Sequence, residues 1–442
     1  MNRIVRSSLP QGQLARFGFS SRPDHIFHRH TTHFPKVNFL DVEPSCRYET
    51  GGYHPVHIGD LIHNRYRVVH KLGFGNFSTV WLARDREINK LVAVKVGTAD
   101  SDPKQADTLS SLSLAAGSNF FPPVLDRFEV RGANGIHSCY VREPALGSLA
   151  NLLELSPHIF RPHVARDLIA QLALSMVAMH SRGFVHGDFH LGNVLLRAPS
   201  AFQDLSDEEL YQIYHSPYCE PIGPTEDENL PSNIPSYGVI PVFLGKLEEV
   251  SQQAARIWIC DLGEPIAPSV ENIDCLFKPM EYCPPEFLFS PEESKVSYSS
   301  DIWSLACSIW NLLGERPLFG HSWEDSRSTR IAQVDHLGPS GMPSSWWDNW
   351  KDRSSYYTEA RYPLPDHAKY IESWDTKFGE CIQYGLGAAG YPKIPPKEKK
   401  AIINMLQPML TWKPEDRCTA SQVLKSEWMT QWVLPEYQQL TA

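Results

Sequence analysis

The sequence predicts an α+β chain of two lobes, a small antiparallel β-rich one followed by a large helical one. Three observations carry that reading. Alternating apolar residues over 65–72, resumed over 79–83 and 91–96, are strands separated by a glycine-bearing turn. Downstream, Leu168, Leu172, Met176 and Met179 recur at helical spacing and mark a core-facing helix. In the same half, short apolar runs adjoin polar loops that carry Asp188 and Asp261.

At 442 residues the chain is long enough for one large core or two modest ones. Lys and Arg number 41 against 51 Asp and Glu, a net charge of −10. That balance argues against direct nucleic-acid binding and suits a basic partner, or a ligand whose charge a metal meets. The nine Cys include no C-x-x-C pair, so reduced thiols in the cytoplasm or nucleus are expected. No apolar run approaches a membrane span, and no membrane partner is expected.

Residues 1–50 read as a disordered N-terminal tail. Its first 23 residues carry Arg3, Arg6, Arg16, Arg22 and several Ser, with no acid before Asp24. They are either a solvated segment or a mitochondrial presequence, although Pro10 and Gly12 interrupt any amphipathic helix. His25, His28, His30 and His33 have no Cys or carboxylate placed to complete a metal site, which favours a polar linker.

The small lobe is assigned to residues 51–146. Gly73-Phe74-Gly75-Asn76-Phe77-Ser78 joins two strands, so a backbone poor in side chains can lie close over phosphates. Val80 follows in the second strand, and Ala93 and Lys95 lie in Leu91-Val92-Ala93-Val94-Lys95-Val96. A Lys in such a strand is either an edge residue facing water or a phosphate ligand. Cys139-Tyr140-Val141-Arg142-Glu143-Pro144 is a strand running into a linker.

The large lobe is assigned to 147–433, with a tail at 434–442. A helix over 166–181 delivers the chain to His186-Gly187-Asp188-Phe189-His190-Leu191-Gly192-Asn193, a loop that can aim a carboxylate at a hydroxyl and an amide oxygen at a metal ion. Residues 198–255 form an insertion rich in Pro and acids, whose composition predicts incomplete ordering around one short helix near Ser206–Tyr214. It is a solvated loop or a docking site for basic peptides. The strand Ile257-Trp258-Ile259-Cys260 ends on Asp261-Leu262-Gly263, where a carboxylate beside a glycine turn is placed to hold Mg²⁺. Residues 340–390, with Trp346, Trp347, Trp350 and Trp374, read as a helical insertion packed on this lobe, a Trp-lined peptide groove being the alternative.

These words, in this order, resemble the protein kinases: G-x-G-x-x-x-x-V at 73–80, the V-A-V-K lysine, H-x-D-x-x-x-x-N at 186–193, D-L-G at 261–263, P-P-E at 284–286, D-I-W-S at 301–304 and P-E-D-R at 414–417. Gly51-Gly52-Tyr53-His54-Pro55-Val56-His57-Ile58-Gly59-Asp60 narrows the resemblance to SR-protein-specific kinases in a divergent, fungal-like form. The resemblance implies a monomeric, ATP- and Mg²⁺-dependent serine/threonine kinase acting on a protein substrate of Arg/Ser-rich character. Asp188 would orient the hydroxyl, and Lys95 would hold the α- and β-phosphates. Asn193 and Asp261 would hold Mg²⁺. The backbone of Gly73 to Ser78, with Val80, Ala93 and Glu143, would enclose the nucleotide, and Arg417 would pair with Glu286.

Several positions depart from the family pattern. Gln105 falls where a Glu should pair with Lys95; it can accept from that lysine but brings no charge, and Asp107 or a shift of register could substitute. Arg142 stands where an apolar residue is usual, and requires either an acidic partner or a register one residue away. His190 replaces a lysine that touches the transferred phosphate, and Gly187 replaces an arginine that receives an activating phosphate. Only Ser269 and Tyr282 carry hydroxyls between Asp261 and Glu286, which favours constitutive activity. Three rivals stand beside this reading: a pseudokinase, a small-molecule kinase suggested by the aminoglycoside-kinase wording HGDFHLGN, and an interaction scaffold.

Overall fold

A computed structural model describes residues 42–114, 119–156, 159–222, 232–262, 279–320 and 326–441. The basic segment 1–23, the four histidines at 25–33, Gly263 and Ser269 lie outside the described residues.

Two lobes follow from two kinds of periodicity. In the first, β1 (Leu61–Ile62), β2 (Tyr66–Gly75), β3 (Ser78–Asp85), β4 (Lys90–Gly97), β5 (Asp126–Gly132) and β6 (Gly135–Arg142) form an antiparallel sheet in the order β1-β2-β3-β4-β6-β5. Its strands are rich in β-branched residues, which suit a pleated surface. One face buries Val68, Trp81, Ala83, Val92, Val94 and Val141 under Val56, Tyr66 and Val239. Helix α1 (Gln105–Ser113) follows β4. A short link through Glu143 and Pro144 leads to β7 (Ala145–Ser148), which pairs with β8 (Val194–Arg197); β8 in turn pairs with β11 (Ile257–Ile259). Strands β9 (Cys219–Pro221) and β10 (Tyr237–Val239) pair within the insertion.

The second lobe is helical. It includes α2 (Leu149–Glu154), α3 (Pro162–His180), α4 (Asp207–Tyr214) in the insertion, α5 (Pro285–Phe289), α6 (Tyr298–Leu313) and α7 (Ser326–Leu337). Helices α3 and α6 supply Leu168, Leu172, Met176, Met179, Trp303 and Trp310 to the main core. The ion pair implied between Glu286 and Arg417 is present and bidentate, at 2.9 and 2.5 Å, with both side chains buried. Trp346, Trp347 and Trp350 are buried against Phe289 and Trp412, so they pack the lobe and line no open groove.

Three expectations about order change. Residues 198–255 were expected to be largely solvated, but their described part packs on the small lobe: Phe202, Leu210 and Leu244 bury with Val69, Leu82 and Leu91. Ser206 caps α4 in a reciprocal capping box with Glu209. Asp207 receives Arg67 and, at 2.8 Å, Arg84, so this carboxylate is already engaged and is not offered to a basic peptide. Within the N-terminal tail, Val42, Glu43 and Tyr48 are buried, Glu43 forming an ion pair with Lys71. Residues 434–441 are a helix rather than a tail, with Glu436 bonded to Arg166 at 2.7 Å. In each case a partner distant in sequence supplies the burial that local composition lacks.

Candidate active site

The loop 186–193 is held from below by one carboxylate. Asp301, fully buried in the first turn of α6, accepts the His186 N–H at 2.8 Å and the Gly187 N–H at 3.0 Å, and lies 3.0 Å from His180 Nε2. Burial by itself would raise its pKa, but the His180 hydrogen bond and charge outweigh that, and the net shift is downward. Gly187 turns the chain at φ +79°, a conformation that would strain any side chain there. The His186 ring then ties the loop to the end of β11. Its Nδ1 accepts the Asp188 N–H at 3.3 Å, which leaves the proton on Nε2 to donate to the Cys260 carbonyl at 3.1 Å.

Asp188 and Asn193 face one another across this loop. The Asn193 amide donates to the Asp188 carbonyl at 2.9 Å and to its carboxylate at 3.1 Å, which orients the Asn oxygen away from Asp188. His190 Nδ1 accepts the Gly192 N–H at 3.1 Å, and Nε2 lies 3.6 Å from Asp188 Oδ2. A Cβ at Gly192 would sit 2.6 Å from His190 Cε1, so glycine is what lets the ring fold back over the loop.

Lys95 extends from β4 into the cleft and pairs with Asp261, the residue directly after Cys260. Asp261 has φ +52°, an uncommon conformation for a non-glycine residue, and its side chain keeps 47% of its surface open. For both partners burial opposes the charge, and for both the facing charge prevails: Lys95 is shifted up and Asp261 down. Gln105, at the position of the missing Glu, does not bond Lys95 but donates its amide to Asp261 at 3.3 Å. Asp107 does not substitute, because it pairs with Arg127. Arg142 is buried, and its positive charge helps to lower the pKa of Asp261, a compensation invisible at the level of sequence.

These groups share one cavity of about 720 Å³. Lys95, Asp188, His190, Asn193 and Asp261 line it from below and behind, and Gly75, Asn76, Phe77 and Ser78 from above. Gly73, Phe74, Val80, Ala93 and Glu143 do not line it. Ala93 is fully buried in the ladder between Leu82 and Arg142. Phe74 lies over Lys71 Nζ at 5.0 Å. On the linker side the insertion runs close by, Val242 N–H bonding the Lys71 carbonyl at 2.8 Å and Leu244 N–H the Leu146 carbonyl at 3.2 Å. Sequence reasoning missed Asp301 and His186 as the groups that fix the loop. The one charge in an otherwise uncharged helix, placed in its first turn, was the available signal for Asp301.

Comparison with known proteins agrees with this geometry. The family described as protein kinase domain matches residues 66–211 and 249–429, and the gap falls within the insertion. A serine/threonine protein kinase of Aspergillus fumigatus is 26% identical over 453 residues, covering 95% of this chain and 99% of the relative. A kinase of Physarum polycephalum named SRPK is 26% identical over 405 residues, covering 86% and 90%. Human SRSF protein kinase 3 is 32% identical over 166 residues, covering 35% and 29%. A kinase domain solved by crystallography shares the fold at a TM-score of 0.56 and 18% identity, over 85% of this chain and 98% of that one. These relatives favour neither a small-molecule kinase nor a scaffold. The chain is a serine/threonine protein kinase similar to the SR-protein kinases, and it belongs to the protein kinase family.

Proposed function

We propose that the chain transfers the γ-phosphate of ATP, with Mg²⁺, to serine in a basic, Arg/Ser-rich protein. The observation that carries this is the convergence of Lys95, Asp188, Asn193 and Asp261, from separate elements, on one cavity under the glycine turn. Two oxygen donors, the Asn193 amide and the Asp261 carboxylate, suit Mg²⁺, which keeps waters and phosphate oxygens as its other ligands. Bound there, the ion supplies charge neutralisation. Asp188 accepts and orients the substrate hydroxyl, and Asn193 fixes the Asp188 backbone and carboxylate for that task. Lys95 offers its ammonium to the phosphates, and His190 sits beside Asp188 at the acceptor side.

Asp100, Asp102 and Glu129 also line the cavity, with Arg127 as the one base among them, and this acidic excess suits a substrate carrying arginine. The names of two relatives point the same way. Tyr282 is buried, with its hydroxyl accepting from Asn311 at 2.9 Å, so it is not open to phosphorylation, in keeping with constitutive activity.

The test is phosphate transfer from radiolabelled ATP to an Arg-Ser repeat peptide, a generic basic protein, an aminoglycoside and choline. Transfer to the Arg-Ser peptide is expected to lead the panel, and Asp188→Asn to lower it by about 10²–10⁴-fold, as loss of a general base does. Equal rates for wild type and Asp188→Asn would overturn the reading.

A further inference from the structure

The glycine turn that roofs the cavity is itself held from outside by an N-terminal segment that the phosphoryl-transfer reading leaves without a role. Residues 43–53 form a strap anchored at both ends. Glu43 makes its buried ion pair with Lys71 of β2 and accepts from the Tyr48 hydroxyl at 2.5 Å. At the other end Gly51 donates to the Asn134 carbonyl at 2.9 Å. The carbonyls of Gly51 and Gly52 accept from Asp100 and Ala99 at 2.8 and 3.0 Å. From this frame two side chains reach the turn. The Tyr53 hydroxyl, on a buried ring packed with Tyr48, Ile222 and Ile234, donates to the Gly75 carbonyl at 2.8 Å. The Arg47 guanidinium donates to the Asn76 carbonyl at 3.2 Å.

We infer that Tyr53 and Arg47 are positioning residues that set the orientation of the glycine turn for phosphate. In a trans peptide the carbonyl and the following N–H point in opposite directions. Holding the Gly75 and Asn76 carbonyls toward the strap therefore turns the N–H groups of Asn76 and Phe77 to the opposite side of the turn. Both residues line the cavity. Backbone N–H groups attract phosphate oxygens, and carbonyls repel them. The turn spans only Asn76 and Phe77 between Gly75 and Ser78, and the glycine before it has no side chain to pack. These two donors hold the first two carbonyls of the turn, while the Thr98 N–H, 2.8 Å from the Phe77 carbonyl, holds the third.

This inference rests on the nucleotide reading above for its purpose, but its first measurement does not. Backbone order parameters of the Asn76 and Phe77 amides, from nitrogen-15 relaxation of the full chain without nucleotide, are compared among wild type, Tyr53→Phe and Arg47→Ala. Tyr53→Phe keeps the packed ring and removes only the donor. The order parameters are expected to fall from rigid to flexible values in each variant, with melting temperature unchanged, and the dissociation constant for Mg²⁺-ATP to rise about fivefold, the loss of one hydrogen bond. The expected kinetic signature is a raised KM for ATP with kcat retained, which a merely structural loss would not give. Order parameters that stay at the wild-type values overturn the strap, and lowered ones with unchanged ATP affinity overturn its role toward phosphate. A wild-type chain that binds no ATP overturns the nucleotide reading instead, while the relaxation comparison still judges the strap.

Discussion

Lys95 and Asp261 are each other's partner, and Gln105 is the reason. A neutral amide that donates to Asp261 at 3.3 Å does nothing to draw the ammonium away. A carboxylate at 105 would repel Asp261 and attract Lys95, and at a few ångströms in a partly open cleft that is worth about 1 kcal/mol. Gln105→Glu is therefore expected to lower the Mg²⁺ concentration for half-maximal phosphorylation by about threefold to tenfold, read from a Mg²⁺ titration. An unchanged or higher requirement would mean that Lys95 does not compete with the ion. Asp167, in α3, behaves differently. Burial outweighs the pull of Arg256, 3.3 Å away, and its pKa is pushed up to about 6. The folded chain thus holds that proton more tightly than an unfolded one, in which an Asp titrates near 3.9. Stability from this group rises as pH falls from about 6 toward 4 and is lost above 6. Histidines such as His54 and His70, whose pKa burial lowers to about 4, pull the other way in both chains. The melting-temperature gap between wild type and Asp167→Asn is therefore what is expected to widen in favour of wild type as melts run from pH 7.5 to 5. Parallel curves would refute it.

At the scale of elements, what was legible in the sequence was what repeats at fixed spacing. The strands around Gly73–Ser78, the α3 stripe and the loop 186–193 announce themselves by period or by a short word of polar residues. The partners of those elements did not. Arg84 and Asp207 are 123 positions apart, and Gln105 and Asp261 156 apart, so no local pattern links them. The same distinction separates two ion pairs. Arg417 and Glu286 lie in recognisable words, and both are buried, so removing one leaves an unpaired buried charge. Glu286→Gln is expected to destabilise by about 3–5 kcal/mol in urea unfolding, whereas Glu286→Met with Arg417→Met should cost far less. If single and double variants lose equal stability, the pair is not what the desolvation argument makes it. Asp207, partly buried and bonded to Arg67 and Arg84, holds α4 to β2 and β3. Its pKa is lowered although burial opposes the shift, because both guanidinium groups favour the charged form. Its contribution is present above the unfolded pKa and is lost as pH falls through the lower folded one. Asp207→Asn is expected to cost about 2 kcal/mol at pH 7, and nothing once both states are protonated.

For the whole molecule, the insertion decides whether the lobes are independent. It leaves after β8 and returns at β11, neighbouring strands of the sheet that also holds β7. In between, Val239 packs on the Trp81 face of the small lobe, and Leu210 and Leu244 pack with Val69, Leu82 and Leu91. The small sheet cannot lose its strands without exposing those apolar residues of the insertion, and the insertion cannot detach without uncovering the sheet. Two lobes joined only through Glu143 and Pro144 would melt separately; joined in this way, they form one cooperative unit. Far-UV circular dichroism and tryptophan fluorescence should report coincident, single transitions. Leu210, fully buried, provides the sharper measurement. Leu210→Ala removes a buried side chain at a cost of about 2–5 kcal/mol, and coupling requires that loss to lower the entire transition. A biphasic melt in which only part of the signal moves would show that the small lobe and its cover unfold apart from the helical lobe. The insertion would then be an accessory of the small sheet and not the element that binds the two lobes into one unit.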